Sequence, residues 1–323
     1  MNNKNVLITG GLGFIGKHLV NKLLQEKIFK NIFVLDRFSA QKKIPDFWSN
    51  KVEIIWDDLA TIKEDKLNDL TDNVDVIYHL AGVSGAEKSI LNPIESLESN
   101  NLASLNLLKS IGDKDIHLIY SSSRLVYGET EKSKISEDHI LEPKSIYGIH
   151  KQTVENYIKL YSNLNGFNFT ILRISNPYGP TLEYNVNYGI INLFINEALK
   201  GNEINLYGGG EQLRDYIYID DLTEILAIIG DSYGINMTYN VGSGEVISLN
   251  GMVDKIITLT GKGKVNVSPW NELSKFVETG DSILDLNNLS NSFNWNARYT
   301  LEEGLISCIS ENIKLNGERK CES

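Results

Sequence analysis

Short apolar runs alternate with stretches of helical periodicity over the first half of the chain. The run Val6–Thr9 predicts a buried strand, and apolar residues at 15, 19 and 23 then share one face of a helix. The same pattern predicts further strands near 31–35, 52–55, 75–80, 115–120 and 168–174, and helices near 93–111 and 146–165. Strands that alternate with helices indicate an α/β fold with a doubly wound parallel sheet, whose ligands bind at the carboxyl ends of the strands.

The turn after the first strand is rich in glycine. Gly10, Gly13 and Gly16 recur at intervals of three, and Gly11 with the last two also satisfies G-x-G-x-x-G. Between a strand and a helix, such glycines keep side chains away from a bound pyrophosphate, and the helix N-terminus attracts its charge. An ordinary strand-to-helix turn is the alternative. We therefore predict a Rossmann-type dinucleotide-binding site.

The end of the second strand indicates which dinucleotide binds. Asp36 lies 20 residues after Gly16, where an acid accepts hydrogen bonds from the adenosine ribose and repels a 2′-phosphate. Arg37 instead favours NADP, since an arginine can bind that 2′-phosphate. A solvated Asp–Arg pair without a ligand is also consistent with the pattern. We predict NAD as the cofactor.

The regular alternation of predicted strands and helices changes after Ile174. Proline and glycine at 177, 179 and 180 predict an exit from the sheet. Beyond them the pattern predicts a helix at 190–200, strands at 204–207 and from 214, an acidic N-cap for a helix at 221–230, a strand at 238–241, a helix capped by Ser248 and a capping box at 300–303. We expect an NAD-binding domain over 1–175, to which 214–242 partly return, and a smaller α/β substrate lobe over 176–323.

Composition and charge restrict the partners. With 323 residues and 41% apolar content the chain can bury a large core, and its net charge of −11 disfavours nucleic acid and anionic membranes. The histidines are scattered without ligand spacing, so no metal site is predicted. Cys308 and Cys321 do not suit a disulfide framework, and no signal peptide or long apolar run precedes the first strand. We expect a cytoplasmic protein.

The predicted helix at 146–165 carries Tyr147 and Lys151 on one face. Of fifteen tyrosines, Tyr147 alone has a lysine four residues later. On a surface helix this spacing usually has no function. Here it follows a strand that runs into Ser121–Ser123 in a nucleotide-binding sheet, and that context gives it weight.

Taken in order, these motifs resemble the extended short-chain dehydrogenase/reductases, and within them the nucleotide-sugar enzymes similar to UDP-glucose 4-epimerase. The resemblance covers almost the whole chain. It is carried by nine stretches: Thr9–Gly16, Asp58 with Leu59, His79–Gly82, Asn100 with Asn106, Ser121–Gly128, Tyr147–Lys151, Arg173–Pro180, Arg214–Asp221 and Tyr239–Leu249. Such a series is specific for the family and less so for one substrate.

The resemblance implies roles for individual residues. The catalytic set would be Ser123, Tyr147 and Lys151. The dinucleotide would contact Gly10, Gly13, Phe14, Ile15, Gly16, Asp36, Arg37, Asp58, Leu59, Leu80, Ala81, Gly82, Asn100, Ser121, Tyr147 and Lys151. The nucleotide sugar would contact Ser123, Asn176, Asn205, Tyr207 and Arg214. A homodimer would form through the helices at 93–111 and 146–165, with Leu102, Leu105, Ile149 and Val154 as candidate apolar contacts.

Two positions depart from the family pattern. Glu278 stands where many relatives have an arginine, so we expect Arg214 to carry a larger share of the diphosphate's charge. A structural pairing of Arg214 with Asp215 or Asp220 is the alternative. Where dehydratases have Thr-Asp-Glu, this chain has Ser123-Arg124-Leu125, which supplies no carboxyl pair for loss of water.

The resemblance implies oxidation of a sugar hydroxyl by NAD. Lowering a tyrosine pKa from 10 to about 7 needs roughly 4 kcal/mol, and a lysine charge about 4 Å away supplies that order of energy. Lys151 together with the cofactor would therefore activate Tyr147. We expect C4 epimerisation of a UDP-hexose or related nucleotide sugar through a 4-keto intermediate.

Three alternatives remain at this point. A nucleotide-sugar 4-reductase is disfavoured by Asp36, because such enzymes mostly exchange NADPH. A 4,6-dehydratase is disfavoured by Arg124 and Leu125. A non-catalytic dinucleotide sensor is disfavoured because Ser123, Tyr147 and Lys151 are all present.

Overall fold

The computed structural model describes residues 3–38, 44–130, 134–181, 189–232 and 236–322. Its strands are β1 Asn5–Thr9, β2 Asn31–Asp36, β3 Val52–Trp56, β4 Val76–His79, β5 His117–Ser123, β6 Asn168–Ile174, β7 Asn176–Tyr178, β8 Glu203–Tyr207, β9 Leu213–Tyr218, β10 Met237–Val241, β11 Val246–Ser248 and β12 Lys264–Ser268. Its helices are α1 Phe14–Glu26, α2 Glu64–Thr71, α3 Ala86–Leu91, α4 Pro93–Ser96, α5 Ala103–Ile111, α6 Ile146–Asn165, α7 Gly189–Lys200, α8 Ile219–Asp231, α9 Leu249–Thr260, α10 Glu272–Val277, α11 Asn287–Phe293 and α12 Leu301–Glu322. Over these described ranges, no helix combines the length and the apolar character needed to cross a bilayer.

Seven parallel strands form the main sheet, in the order β10-β6-β5-β4-β1-β2-β3. The order reverses at β1, so the carboxyl ends of β1 and β4 lie at the switch point where such sheets bind ligands. Thr9 pairs with His79, and His79 pairs with Tyr120 on β5, so these ends are level. The predicted doubly wound parallel sheet is confirmed.

The core has one apolar layer on each face of the sheet. In β1, Val6 and Ile8 belong to one apolar cluster and Leu7 to the other, as the two-residue alternation of a strand requires. Helices α1 and α8 supply the first layer, and α5 and α6 supply the second. Burial on both faces explains why these strands read as continuous apolar runs.

Two smaller sheets are built from strands after β6, and β10 between them in the chain returns to the main sheet. In the first, β9 lies between β7, to which it is parallel, and β11, to which it is antiparallel. In the second, β8 and β12 are parallel. The pattern of the sequence had not predicted β7, β11 or β12, because each is short and only partly buried.

The predicted acidic N-cap of the helix at 221–230 is wrong. Strand β9 ends at Tyr218 and α8 begins at Ile219, so Asp220 and Asp221 lie in the first helical turn. The Asp221 carboxylate instead accepts hydrogen bonds from the backbone N–H groups of Arg298 and Tyr299, at 3.1 Å each. It therefore anchors the segment before the last helix.

The predicted helix at 93–111 is interrupted. Between α4 and α5, residues Leu97–Leu102 form a π-helical turn, in which each residue pairs with one five positions away. Asn100 and Asn101, in this turn, are buried. Other boundaries agree with the sequence, including the Ser248 cap of α9 and the capping box of Thr300 and Glu303.

A buried ion pair joins α6 to the sheet. Glu155 Oε2 and Arg173 Nη2 are 2.7 Å apart, and the two side chains are 1% and 3% exposed. Ser122 Oγ donates to Glu155 Oε1 at 2.5 Å, while Arg173 Nη1 donates to Tyr127 Oη and to the Glu137 carbonyl. The pair thus fixes β5, β6 and α6 relative to one another.

We expect Glu155→Leu to lower the free energy of unfolding by about 3–5 kcal/mol, because it leaves the Arg173 guanidinium buried without its carboxylate. Urea unfolding monitored by circular dichroism measures this loss. The double variant with Arg173→Met should lose less than the sum of the single variants. Lys264→Ala, which removes an exposed pair with Glu203, is the control and should change stability far less. Additive losses in the double variant would contradict the coupling.

Candidate active site

The glycine turn forms a cradle from which side chains are excluded. Gly10 has φ +72°, and a Cβ there would lie 2.8 Å from the Cα of Ala81 on the neighbouring strand end. A Cβ at Gly16 would collide with the Gly10 carbonyl oxygen. Gly13 is the N-cap residue directly before α1, and no side chain in the described part of the chain caps this helix end. The cradle fits a pyrophosphate at a helix N-terminus.

Asp36 is held at the end of β2. Its carboxylate accepts hydrogen bonds from the backbone N–H groups of Leu12 at 2.9 Å and Arg37 at 2.8 Å. The Arg37 side chain is half-exposed and lies 3.8 Å from the Asp58 carboxylate. This neighbouring negative charge offsets the attraction of Arg37 for a 2′-phosphate. The arrangement fits the ribose of NAD.

One continuous cleft runs from Asp36 to Tyr147. Its first part is lined by Asp36, Arg37, Asp58, Leu59 and Ala81, and its second part has a volume of about 440 Å³. Gly10, Gly13, Leu80 and Gly82 line both parts. The second part adds Phe14, Ile15, Gly16, Ser121, Tyr147 and Lys151. The fold therefore brings all these sequence-predicted cofactor residues to one cleft.

Asn100 lies just behind the cleft wall. Its Nδ2 donates to the carbonyls of Val83 and Ser96, whereas its buried Oδ1 has no hydrogen-bond partner among the described residues. A Cβ at Gly82 would collide with this oxygen and would lie 3.8 Å from Lys151 Nζ. The orphaned acceptor beside the cleft fits a hydroxyl group of a bound ligand.

Ser123, Tyr147 and Lys151 meet where β5 ends beside the start of α6. Ser145 caps α6 by accepting from the Gly148 N–H, which places Tyr147 in the first turn. The Ser123 side chain lies near enough to the Tyr147 hydroxyl to lower the pKa of this phenol, and Ser123 Oγ accepts from the Leu125 N–H at 3.2 Å. Lys151 Nζ donates to the Ser121 carbonyl at 2.7 Å and lies 5.7 Å from the centroid of the Tyr147 ring.

Burial dominates the ionisation of this set. It raises the pKa of Tyr147 to about 12, against the opposing effect of the Ser123 side chain. It lowers the pKa of Lys151 to about 8, against the opposing effect of the Glu155 carboxylate. In the chain alone the phenol is thus protonated at neutral pH. The charge of Lys151 alone does not lower the pKa of Tyr147 to the value near 7 expected from the sequence. Desolvation of the phenol outweighs its effect.

A buried histidine supports the same strand ends. His79 Nδ1 lies 2.7 Å from Thr9 Oγ1, and His79 Nε2 lies 2.8 Å from Ser104 Oγ. Burial, together with the charge of Lys151, lowers the pKa of His79 to about 3, so the imidazole is neutral. It links β1, β4 and α5. In the sequence, His79 was marked as the last residue of an apolar strand and by the His79–Gly82 stretch of the family resemblance, but neither indicated its contacts with Thr9 and Ser104.

A larger cavity of about 840 Å³ adjoins the cleft and shares Leu125, Asn176 and Tyr216 with it. All the other predicted substrate residues outside the catalytic set line this cavity: Asn205, Tyr207 and Arg214. Arg124 and Trp270 also line it, and sequence reasoning had not assigned them to a ligand. Trp270 fits against Gly208, whose φ of +63° and close approach to the indole admit no side chain.

Arg214 already has a carboxylate partner. Its guanidinium forms an ion pair with Glu278 and donates to the carbonyls of Gly280 and Leu213. The alternative proposed from the sequence named Asp215 or Asp220 as the partner, but the carboxylate paired with Arg214 is Glu278, and the Asp215 carboxylate accepts from the N–H groups of Ser243 and Gly244. The role of Arg214 toward a substrate stays a prediction.

Comparison with known proteins places these features in a family. The sequence model of the NAD dependent epimerase/dehydratase family matches residues 6–242. A Methanocaldococcus jannaschii protein, provisionally named as a UDP-glucose 4-epimerase, is 33% identical over 78% of this chain and 81% of its own. UDP-glucuronic acid decarboxylase 1 of Xenopus tropicalis is 29% identical over 95% of this chain and 71% of its own.

Solved structures agree with this assignment. A UDP-glucose 4-epimerase from Thermotoga maritima, crystallised with UDP-glucose, superposes with a TM-score of 0.86 at 28% identity, covering 99% of this chain and all of that chain. The predictions of the family and of NAD as cofactor are confirmed. The relatives' names differ in reaction, so they establish the family and not one activity. The chain belongs to the NAD dependent epimerase/dehydratase family.

Proposed function

We propose that this protein is an NAD-dependent nucleotide-sugar epimerase that inverts C4 of a UDP-hexose or a related nucleotide sugar. The observation that carries the proposal is the composition of the 440 Å³ cavity. Ser123, Tyr147 and Lys151 line it together, and none of its described lining residues is an aspartate or a glutamate. Tyr147 is then the proton-transfer group at the substrate, and a second acid/base pair for dehydration is missing from this lining.

The residues divide the chemistry among themselves. Bound NAD⁺ supplies the acceptor, and later the donor, of the hydride at the sugar carbon. Tyr147, as the phenolate, accepts the proton of the sugar hydroxyl and returns it in the reverse step. Ser123 holds the same oxygens in line for transfer. Lys151 stabilises the phenolate by its charge and offers its ammonium to the cofactor ribose.

The ionisation of Tyr147 depends on a bound positive charge in this proposal. Burial holds the phenol neutral in the chain alone, with a pKa of about 12. A positively charged nicotinamide ring in the same cavity would favour the phenolate and so lower this pKa. The base would therefore form only when the oxidised cofactor is present.

The larger cavity suits the nucleotide part of the substrate. Its 840 Å³ volume, shared lining with the cleft and aromatic residues Tyr207 and Trp270 match a site that holds a nucleotide while the sugar reaches Tyr147. Epimerisation requires the sugar to present either face to the same acceptor, and this room allows it to turn. UDP is the preferred nucleotide because the Thermotoga maritima epimerase was crystallised with UDP-glucose. We also propose the division into an NAD-binding domain over 1–175 and a substrate lobe over 176–323.

The test is conversion of a panel of nucleotide sugars with NAD⁺. We expect a C4 epimer to accumulate with no net change in NADH absorbance. Tyr147→Phe should remove at least 99% of the activity, because the proton acceptor is lost, while NAD affinity changes little. Lys151→Ala should weaken both activity and NAD binding.

Other products would contradict the epimerase. Stoichiometric consumption of NADPH would indicate the 4-reductase, as in the Escherichia coli dTDP-4-dehydro-6-deoxyglucose reductase, which is 28% identical to this chain. Release of CO₂ from UDP-glucuronic acid would indicate a decarboxylase. Near-normal turnover by Tyr147→Phe would exclude the assigned role of the tyrosine.

The pKa of Tyr147 gives a second test. In protein stripped of nucleotide, the tyrosinate at 147 should form only near pH 12, because burial disfavours the charged form. Added NAD⁺ should shift this titration to lower pH, since positive charge favours the phenolate, whereas NADH should shift it less. Ultraviolet difference absorbance of wild type minus Tyr147→Phe isolates the signal. An unchanged titration with NAD⁺ would contradict the coupling.

We also propose a homodimer through the adjoining surfaces of α4, the π-helical turn and α6. Ile94, Leu97 and Leu102 are exposed there, as are Ile149, Leu160 and Leu164 on α6. Val154 was a candidate contact from the sequence, with burial inside the monomer as the alternative; it is fully buried in the core, so the alternative holds for this residue. Leu105 is only partly exposed.

Sedimentation at micromolar concentration tests the dimer. Wild type should have the mass of two chains, and Ile94→Lys with Leu160→Lys should give single chains, because charges would be buried at the contact. Val267→Lys, an exposed apolar position on β12, is the control and should stay dimeric. A monomeric wild type would reject the proposal.

A further inference from the structure

The arginines of this chain differ in how their charge is balanced. Of the five arginine side chains that the structure describes, four lie within 4 Å of a carboxylate. These pairs are Arg37–Asp58, Arg173–Glu155, Arg214–Glu278 and Arg298–Glu224. Arg124 has no such partner among the described residues, and its hydrogen bonds go to neutral acceptors. Among the described residues, no carboxylate within 4 Å therefore balances the charge of Arg124.

Arg124 is fixed in the wall of the larger cavity. It follows Ser123 directly, in the short 3₁₀ turn Arg124–Val126. Its Nε donates to Asn176 Oδ1 at 3.2 Å and its Nη1 to Thr279 Oγ1 at 3.2 Å. Asn176 Nδ2 donates to the Asp215 carbonyl at 2.7 Å, which turns the amide oxygen toward Arg124. The guanidinium is thus positioned by its neutral partners.

The surroundings disfavour the charge of Arg124. Burial and the nearby Arg214 lower the pKa of Arg124 to about 9, against the opposing effect of Glu278. Two guanidinium groups line this cavity. Of these two, only that of Arg214 forms an ion pair with Glu278. Arg124, Arg214 and Glu278 together carry a net charge of about +1 at neutral pH, and the other charged residues that line the cavity are Lys88, Glu87, Glu197 and Glu203. An anion in the cavity would offset this charge and relieve the cost of burying it.

We propose that Arg124 binds an anionic oxygen of the substrate's diphosphate. This inference rests on the proposed function, in which the larger cavity receives a nucleotide sugar. A guanidinium binds phosphate oxygens through directional, charge-assisted hydrogen bonds, and Nε and Nη1 of Arg124 are engaged in a way that holds its plane fixed. Arg124 is then a substrate-binding residue beside the catalytic Ser123.

The diphosphate is favoured over a carboxylate on the sugar by the second guanidinium. Arg124 and Arg214 repel one another, and a ligand with two negative charges near both is the one that best offsets the repulsion. A sugar carboxylate carries one charge. It would also have to lie next to the Ser123–Tyr147 pair, whereas the partners of Arg124 are Asn176 and Thr279.

Isothermal titration with UDP, UDP-glucose and UDP-glucuronic acid tests the proposal, on wild type, Arg124→Gln and Arg124→Lys. We expect Arg124→Gln to raise the Kd of all three ligands by about ten- to a hundredfold, the loss typical of one charge-assisted hydrogen bond. Arg124→Lys should recover part of the affinity, because the charge returns without the guanidinium geometry. Arg298→Gln, whose charge is exposed and paired with Glu224, is the control and should leave every Kd unchanged.

The outcomes separate the sources of the anion. A loss confined to UDP-glucuronic acid would overturn the diphosphate in favour of the sugar carboxylate. Unchanged affinity of Arg124→Gln for all three ligands would overturn any role in binding. An equal loss in Arg124→Lys and Arg124→Gln, with NAD affinity and melting temperature intact, would overturn the electrostatic origin.

The epimerase proposal can be rejected independently of the role proposed for Arg124. Wild type that binds UDP and converts none of the nucleotide sugars would reject the epimerase and leave the Arg124 comparison valid. Wild type that binds NAD but none of the three ligands would overturn both. NAD affinity of each variant confirms that the fold is retained, because the dinucleotide cleft is lined by other residues.

Discussion

The site depends on the buried ion pair of Glu155 and Arg173. Through Ser122, the Glu155 carboxylate holds the end of β5 next to Ser123, and through α6 it holds Lys151 one turn earlier on the helix. Through Tyr127, Arg173 reaches the Asn240 side chain on β10. Such a pair adds little net stability over an apolar contact but is costly to break. Its value here is positional, because β5 and α6, which carry the proposed catalytic groups, are joined to β6 at one pair of charges. The same carboxylate raises the pKa of Lys151 and so favours the charged form.

Burial gives the free chain a site of largely neutral groups. Desolvation keeps Tyr147 protonated, lowers the pKa of Lys151 and holds His79 neutral. Each of these shifts opposes the charge that redox chemistry at a hydroxyl requires. In the proposed reaction, a charged cofactor would supply what the chain lacks, so the ionisation of Tyr147 would be coupled to cofactor binding. A permanent phenolate at Tyr147 would need a cation in direct contact with its oxygen. The Lys151 ammonium donates to the Ser121 carbonyl and not to Tyr147.

Local patterns predicted the fold well and distant contacts poorly. The strand-turn-helix from Val6, the bounds of α6 and the strand at 168–174 followed from apolar periodicity and glycine spacing, which depend on neighbours in sequence. The π-helical turn at Leu97–Leu102 did not, because its pattern differs from an α-helix by one residue. The acids at 220 and 221 were predicted to cap a helix, because the long-range partners of Asp221, Arg298 and Tyr299, are invisible in a local pattern. The proposed catalytic residues were predicted through family resemblance, whereas no sequence signal indicated that Glu155 and Arg173 form an ion pair.

Two departures from the family pattern, at 124 and at 278, become one feature in three dimensions. In the sequence they are 154 positions apart, and each seemed only to remove something: a dehydratase acid at one, a phosphate-binding arginine at the other. In the fold, Arg124 donates to Thr279, the neighbour of Glu278, and Glu278 neutralises Arg214. A cavity that had lost one positive charge and gained a negative one would repel a diphosphate. In our proposal, the arginine at 124 supplies a positive charge at the same wall, beside the ion pair of Arg214 and Glu278, and so helps the cavity to accept an anionic substrate.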